Sequence, residues 1–185
     1  MSFVRRIEED ILLLKIRHGD QAAYATIYDR YVDALFRYIS FRVRSTEQAE
    51  DLTSELFLKV WQYLTDGDKD RVQNIRAFLY QSARNLIADH YRTMQDELPL
   101  DEAMDVTLDK QSRHLSVEQR LTLSEVEQGL TKLKGEWQEI IILAHVEGMK
   151  PGEIAPIIGK SAATTRVMLH RALQELKKVL NQGNL

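Results

Sequence analysis

GMKPGEIAPIIGKSAATTRVMLHRALQELKKVL, residues 148–180, decides how the C-terminal part of this chain folds. It predicts two helices joined by a tight turn. The first runs from about Pro151 to Ile158, with proline in the opening turn, where a missing N–H costs nothing. Gly159 supplies the break. Ser161 is a good N-cap for a second helix that continues to about Leu180. Ile154, Ile157 and Ile158 give the first helix an apolar face; Leu169, Leu173 and Leu176, at spacings of 4 and 3, give one to the second. Two helices meeting at a short glycine turn form a helix-turn-helix, whose second helix fits the DNA major groove.

Charge supports that reading. Residues 160–180 hold five bases, Lys160, Arg166, Arg171, Lys177 and Lys178, against the single acid Glu175, in a chain of net charge −3. Arg166 is the best base-reading candidate, because a guanidinium can address two guanine acceptors at once. Lys160, Arg171 and Ser161 can equally hold phosphates. An amphipathic helix pair with a solvated basic face would carry the same charges.

The remaining composition narrows the class. At 185 residues the chain fits one or two small domains, and with 44% hydrophobic and 29% charged residues it can bury cores. Cysteine is absent, which excludes disulfides and thiolate metal sites and fits a reducing compartment. MSFVRRIEED at the start lacks the apolar core of a signal peptide, and no run approaches membrane-spanning length. A cytoplasmic protein without membrane insertion is expected. No cofactor or metal is expected, and no enzymatic activity: the five histidines are scattered without paired-ligand spacing, and the eight glycines form no phosphate loop.

Glycine and proline are scarce and strand-like alternation is hard to find, so the fold is expected to be all-α. Residues 5–17 predict a first helix ended by His18-Gly19-Asp20. Residues 20–44 follow, with Ala23, Ile27, Tyr31, Leu35, Tyr38 and Val43 as the apolar stripe. In AEDLTSELFLKVWQYL, residues 49–64, Leu52, Leu56, Val60 and Leu64 recur at i+4, flanked by Phe57 and Trp61. The other face carries Asp51, Glu55, Leu58 and Gln62. Leu58 falls about 140° from the core direction, an apolar knob inside an acidic and polar stripe. That hints at a partner helix.

TDGDKDRVQN, residues 65–74, predicts a polar loop whose Asn74 caps a fourth helix over 75–92. Ile75, Phe78, Leu79, Leu86 and Ile87 point inward there, and Arg76, Gln81, Arg84, Asn85 and Arg92 supply charge and amides. Residues 96–120 then carry seven acids against three bases and lose the helical period. They read as an acidic linker between a domain over residues 1–95 and a second over 121–185. In the second, Leu121, Val126, Leu130 and Leu133 mark one helix. Trp137, Ile140, Ile141, Ala144 and His145 mark the next.

The stretches AEDLTSELFLKVWQYL, NIRAFLYQSARNLIADHYR and LTKLKGEWQEIIILAHVEGMKPGEIAPIIGKSAATTRVMLHRALQEL, in that order across an acidic linker, resemble the sigma-70 family of RNA polymerase sigma factors, in its small extracytoplasmic-function (ECF) type. The resemblance covers nearly the whole chain. It implies two small helical domains, a region 2-like one that binds polymerase and recognises and melts the −10 element, and a region 4-like one that reads the −35 element. Asp51, Glu55, Leu58 and Gln62 match the helix that docks on the β′ clamp helices of bacterial core RNA polymerase. Asn74, Arg76, Arg84 and Asn85 match positions that capture the melted −10 strand. Lys160, Ser161, Thr164, Arg166, His170 and Arg171 match the −35 contact surface. Core polymerase, including its β flap, and promoter DNA are the implied partners, with an anti-sigma factor as a further candidate.

Two departures stand out. Pro156 lies inside the first helix of the motif, where it removes a hydrogen bond to the Gly152 carbonyl and is expected to kink or shorten that helix. Val167 and Met168 stand where a serine and a basic residue often follow the Arg166 position, which implies a looser or different −35 readout. The alternatives are an ordinary helix-turn-helix regulator and a degenerate sigma homologue that does not initiate transcription.

Overall fold

The computed structural model describes residues 3–66, 72–95, 126 and 128–182, and the chain divides into two compact units at Ala103/Met104. Every regular element among the described residues is helical. The acidic linker expected over 96–120 lies outside them, as does Leu121.

The first unit contains α1 (Phe3–Arg17), α2 (Gln21–Ser40), α3 (Thr46–Thr65) and α4 (Ile75–Gln95). Polar caps set three of the starts. Asp20 accepts from the Ala23 N–H at 3.0 Å, Ser45 from the Gln48 N–H at 3.2 Å, and Asn74 from the Ala77 N–H at 3.0 Å. The left-handed Gly19, at φ +81°, turns the chain between α1 and α2.

The helices pack α1 on α2 and α3, and α2 and α3 on α4 or on each other. Ile16, Ile27, Leu35, Tyr38, Ile39, Leu56, Ile75, Leu79, Tyr80 and Ile87 fill the core. Tyr38 and Tyr80 meet edge to face with centroids 5.2 Å apart. The expected stripes on α2, α3 and α4 are thus buried, apart from a half-buried Phe78 and Trp61. One boundary differs. α2 stops at Ser40 rather than near residue 44, and α3 starts three residues earlier than expected, because Ser45 caps it and the Gln48 side chain accepts from the Arg44 N–H at 3.0 Å. Val43 remains buried, but from the intervening turn.

The second unit contains a helical segment at residues 128–131, α5 (Gly135–Ile141) running into a π-helical turn (Ile142–Val146), α6 (Pro151–Ile158) and α7 (Ala162–Gln182). Ile140, Ile141, Ile142 and Leu143 are consecutive and all buried. Four neighbours cannot share one face of an α-helix at about 100° per residue, and the wider turn shifts the phase that follows. His145 consequently lies exposed, not on the apolar face expected for it.

α6 and α7 form the expected pair. α6 keeps its two turns despite Pro156, whose side chain is exposed and which stands third from the end of the helix, so that it removes only its own backbone bond to the Gly152 carbonyl. Gly159, at φ +67°, closes the helix in the left-handed conformation, and the Lys160 N–H donates back to the Ala155 carbonyl at 3.0 Å. Ser161 caps α7, accepting from the Thr164 N–H at 3.0 Å. The buried face of α7 corrects the leucine reading. Thr165, Ala172 and Leu176 are buried, whereas Leu173 is 36% exposed and Leu169 half-buried. Close packing against α5 and α6 selects the small residues Thr165 and Ala172, the latter one position before Leu173, and Thr165 satisfies its hydroxyl on the Ser161 carbonyl at 2.8 Å.

Candidate polymerase and nucleic-acid interfaces

Three surfaces carry the expected site residues. On α3, Asp51, Glu55, Leu58 and Gln62 all project from the core-opposed side and all are exposed. Leu58 is 58% exposed, more than any other large exposed hydrophobic residue among those described. Glu55 holds Lys59 at 2.7 Å, an i,i+4 surface pair that contributes little to stability. Tyr28 on α2 is 42% exposed, and its ring lies 4.6 Å from that of Phe57, next to Leu58 in sequence. An aromatic residue one position off the Ile27 stripe was the signal for it.

On α4 the four expected residues do not share a face. Asn74 spends its side-chain oxygen on the helix cap. Arg76 and Arg84 are half-buried and engaged within the protein, while Asn85 is exposed. At about 100° per residue, Arg76 and Asn85 fall on opposite sides of the helix. The outward line is instead Gln81, Asn85, Ala88 and Arg92, with Arg84 at its edge. Arg92 holds Asp89 at 2.8 Å. Residues 67–71 of the expected polar loop lie outside the described residues.

Two further arginines, unanticipated from the sequence, stand beside the C-terminal part of α4. Arg42 and Arg44 occupy the α2–α3 turn, and the Arg42 guanidinium lies 5.9 Å from the Tyr38 ring centroid. Burial pushes the Tyr91 phenol above its ordinary range, with the two neighbouring guanidiniums pulling the other way.

On α7, Ser161, Thr164, Arg166, His170 and Arg171 are exposed, as is Lys160 just before the helix. The Ser161 hydroxyl meets the Thr164 hydroxyl at 2.8 Å, so both belong to the cap as well as to the surface. His170 and Gln174 are joined at 3.0 Å, and Lys178 holds Glu175 at 2.9 Å. A helix with its N-terminus open, its flanks basic and its opposite side packed can enter a major groove.

Residues 27–96 match the Sigma-70 region 2 family model and residues 123–176 match Sigma-70, region 4. The RNA polymerase sigma factor YlaC of Bacillus subtilis is 31% identical over 174 residues, covering 91% of this chain and 96% of YlaC. The chain belongs to the sigma-70 family, in its ECF branch. The ECF RNA polymerase sigma factor BldN of Streptomyces coelicolor is 29% identical over 171 residues; the match takes in 91% of this sigma factor and 64% of the relative's length. Among solved structures, CnrH, determined with the cytosolic domain of CnrY, has the same fold, with a TM-score of 0.71 at 23% identity over 95% of this chain and 98% of CnrH. With both regions present, the protein is a promoter-recognition factor that directs transcription initiation. The region 2 match is what an ordinary helix-turn-helix regulator would lack.

Proposed function

We propose that the α3 face of Asp51, Glu55, Leu58 and Gln62, extended by Tyr28, docks this sigma factor on the β′ clamp helices of core RNA polymerase. The outward line of α4, with Arg84 at its edge, serves the melted −10 strand, and Asn74 and Arg76 meet it separately at the start of the helix. α7, with Lys160, Ser161, Thr164, Arg166, His170 and Arg171, reads the −35 duplex while its unit meets the β flap. Residues 1–95 and 121–185 are the two working domains, and 96–120 connect them. The protein performs no bond chemistry of its own and acts in the cytoplasm. No helix among the described residues is long and apolar enough to cross a membrane.

The observation that carries it is Leu58. An apolar side chain 58% exposed, ringed by acids and an amide, loses water only against a partner. Burying it there contributes about 1–2 kcal/mol. The test is Leu58→Asp in the full chain. Affinity for core polymerase should fall at least tenfold with helicity unchanged; unaltered affinity would remove this face from the interface. An anti-sigma partner is also proposed, because the sigma factor RpoE of similar fold (TM-score 0.62, 21% identity) was solved with the anti-sigma factor NepR from Bartonella quintana.

A further inference from the structure

The direction in which α7 faces away from its own unit is set by what it buries. Thr165, Ala172 and Leu176 mark the packed line. At about 100° per residue, the opposite line runs through Ala163, Val167, His170 and Gln174. Arg166 and Arg171 fall to either side of it. All six are exposed, and Val167 is 51% exposed. His170 and Gln174 are bonded to each other at 3.0 Å. The centre of the N-terminal half is therefore apolar, Ala163 and Val167 one turn apart, with a cation on each flank.

A recognition helix presents its N-terminal residues to base edges, and flanking cations hold phosphates. Most groups on the floor of the major groove are hydrogen-bond donors or acceptors, which lose water against a valine and gain nothing in return. The one apolar group exposed there is the thymine 5-methyl. We infer that Val167, with Ala163 beside it, selects an A·T pair in the upstream promoter element by packing on the thymine methyl. Arg166 and Arg171 grip the phosphates on either side of that contact. This rests on the proposal that α7 reads the −35 duplex and adds what it reads there.

Uracil differs from thymine by that methyl alone. Promoters recovered by transcribing genomic fragments with the holoenzyme would be resynthesised with each upstream thymine replaced singly by uracil. At one position, uracil should weaken holoenzyme binding about threefold to fourfold, the factor for one buried methyl-sized group. In holoenzyme carrying Val167→Ser, the thymine–uracil difference at that position should vanish. Binding to an upstream element with no thymine sensitive to the exchange would overturn the inference and leave the −35 reading standing. Equal sensitivity in Val167→Ser would overturn it also. So would a Val167→Ser loss of affinity for core polymerase without any uracil effect, which would assign the valine to a protein contact. Absence of any upstream element would overturn both readings.

Discussion

The Tyr91 hydroxyl donates to the Arg42 carbonyl oxygen at 2.7 Å, tying the last part of α4 to the turn between α2 and α3. The two residues are 49 positions apart, so the bond joins the last helix of the first unit to a turn near the middle of its sequence. Tyr91→Phe keeps the ring and removes this bond. The expected loss is about 1–2 kcal/mol in urea denaturation. An unchanged midpoint would mean that water replaces the phenol at no cost.

Alkaline pH should act through the same group. Burial raises the Tyr91 phenol, and burial also raises that of Tyr24, whose hydroxyl donates to the Phe57 carbonyl oxygen. Both folded values lie above the unfolded tyrosine value of about 10. Their contribution to stability is therefore complete below that pH and lost as pH rises toward the folded values. Stability should decline above about pH 10, and less steeply in Tyr91→Phe. Parallel pH profiles for wild type and variant would contradict the assignment.

The turn between α6 and α7 makes a separate prediction. Gly159 sits at φ +67° with open space around it, so Gly159→Ala meets no neighbour and is opposed only by its backbone conformation. The expected cost is about 1–2 kcal/mol. Ser161→Ala removes the α7 cap and should cost about 1 kcal/mol. Thermal unfolding of the full chain measures both. A stabilised Gly159→Ala would show that the turn is not held left-handed in solution.

Arg166→Ala and Arg171→Ala separate phosphate from base contacts. If both guanidiniums hold phosphates, each variant should bind all duplexes more weakly and lower the salt slope by about 1. A base contact would instead relax the preference at one position and cost about 1–3 kcal/mol there. Binding titrations of the holoenzyme at several salt concentrations distinguish the two. No change in either variant would remove α7 from the DNA.

The helices were legible because their signals are local. Asn74 and Ser161 announced caps, Gly159 a left-handed stop, and the spacing of Leu52, Leu56, Val60 and Leu64 a buried face. Leu58 was legible for the converse reason, since it breaks the pattern of its own helix. What escaped depends on the opposing surface. Leu173 has the right spacing but is exposed, because the packed line of α7 uses Thr165 and Ala172. α1 is apolar on two sides, burying Leu13 and Ile16 while Ile7, Ile11 and Leu14 stay 44–49% exposed. Periodicity does not choose between such faces. Nor does it foresee a buried Glu9, which is held by the Tyr31 hydroxyl at 2.7 Å and Arg30 at 3.4 Å. The family resemblance brought Arg76 and Asn85 together as strand-capturing residues, although the geometry of α4 sets them apart.

Promoter-specific initiation is read out by run-off transcription. The full chain would be added to bacterial core RNA polymerase on fragmented DNA from its own genome, and the transcript starts sequenced. Discrete starts, each preceded by a shared two-part motif and absent without the protein, are the expected result. Association with core polymerase without any discrete start would contradict it and make the protein a non-initiating sigma homologue.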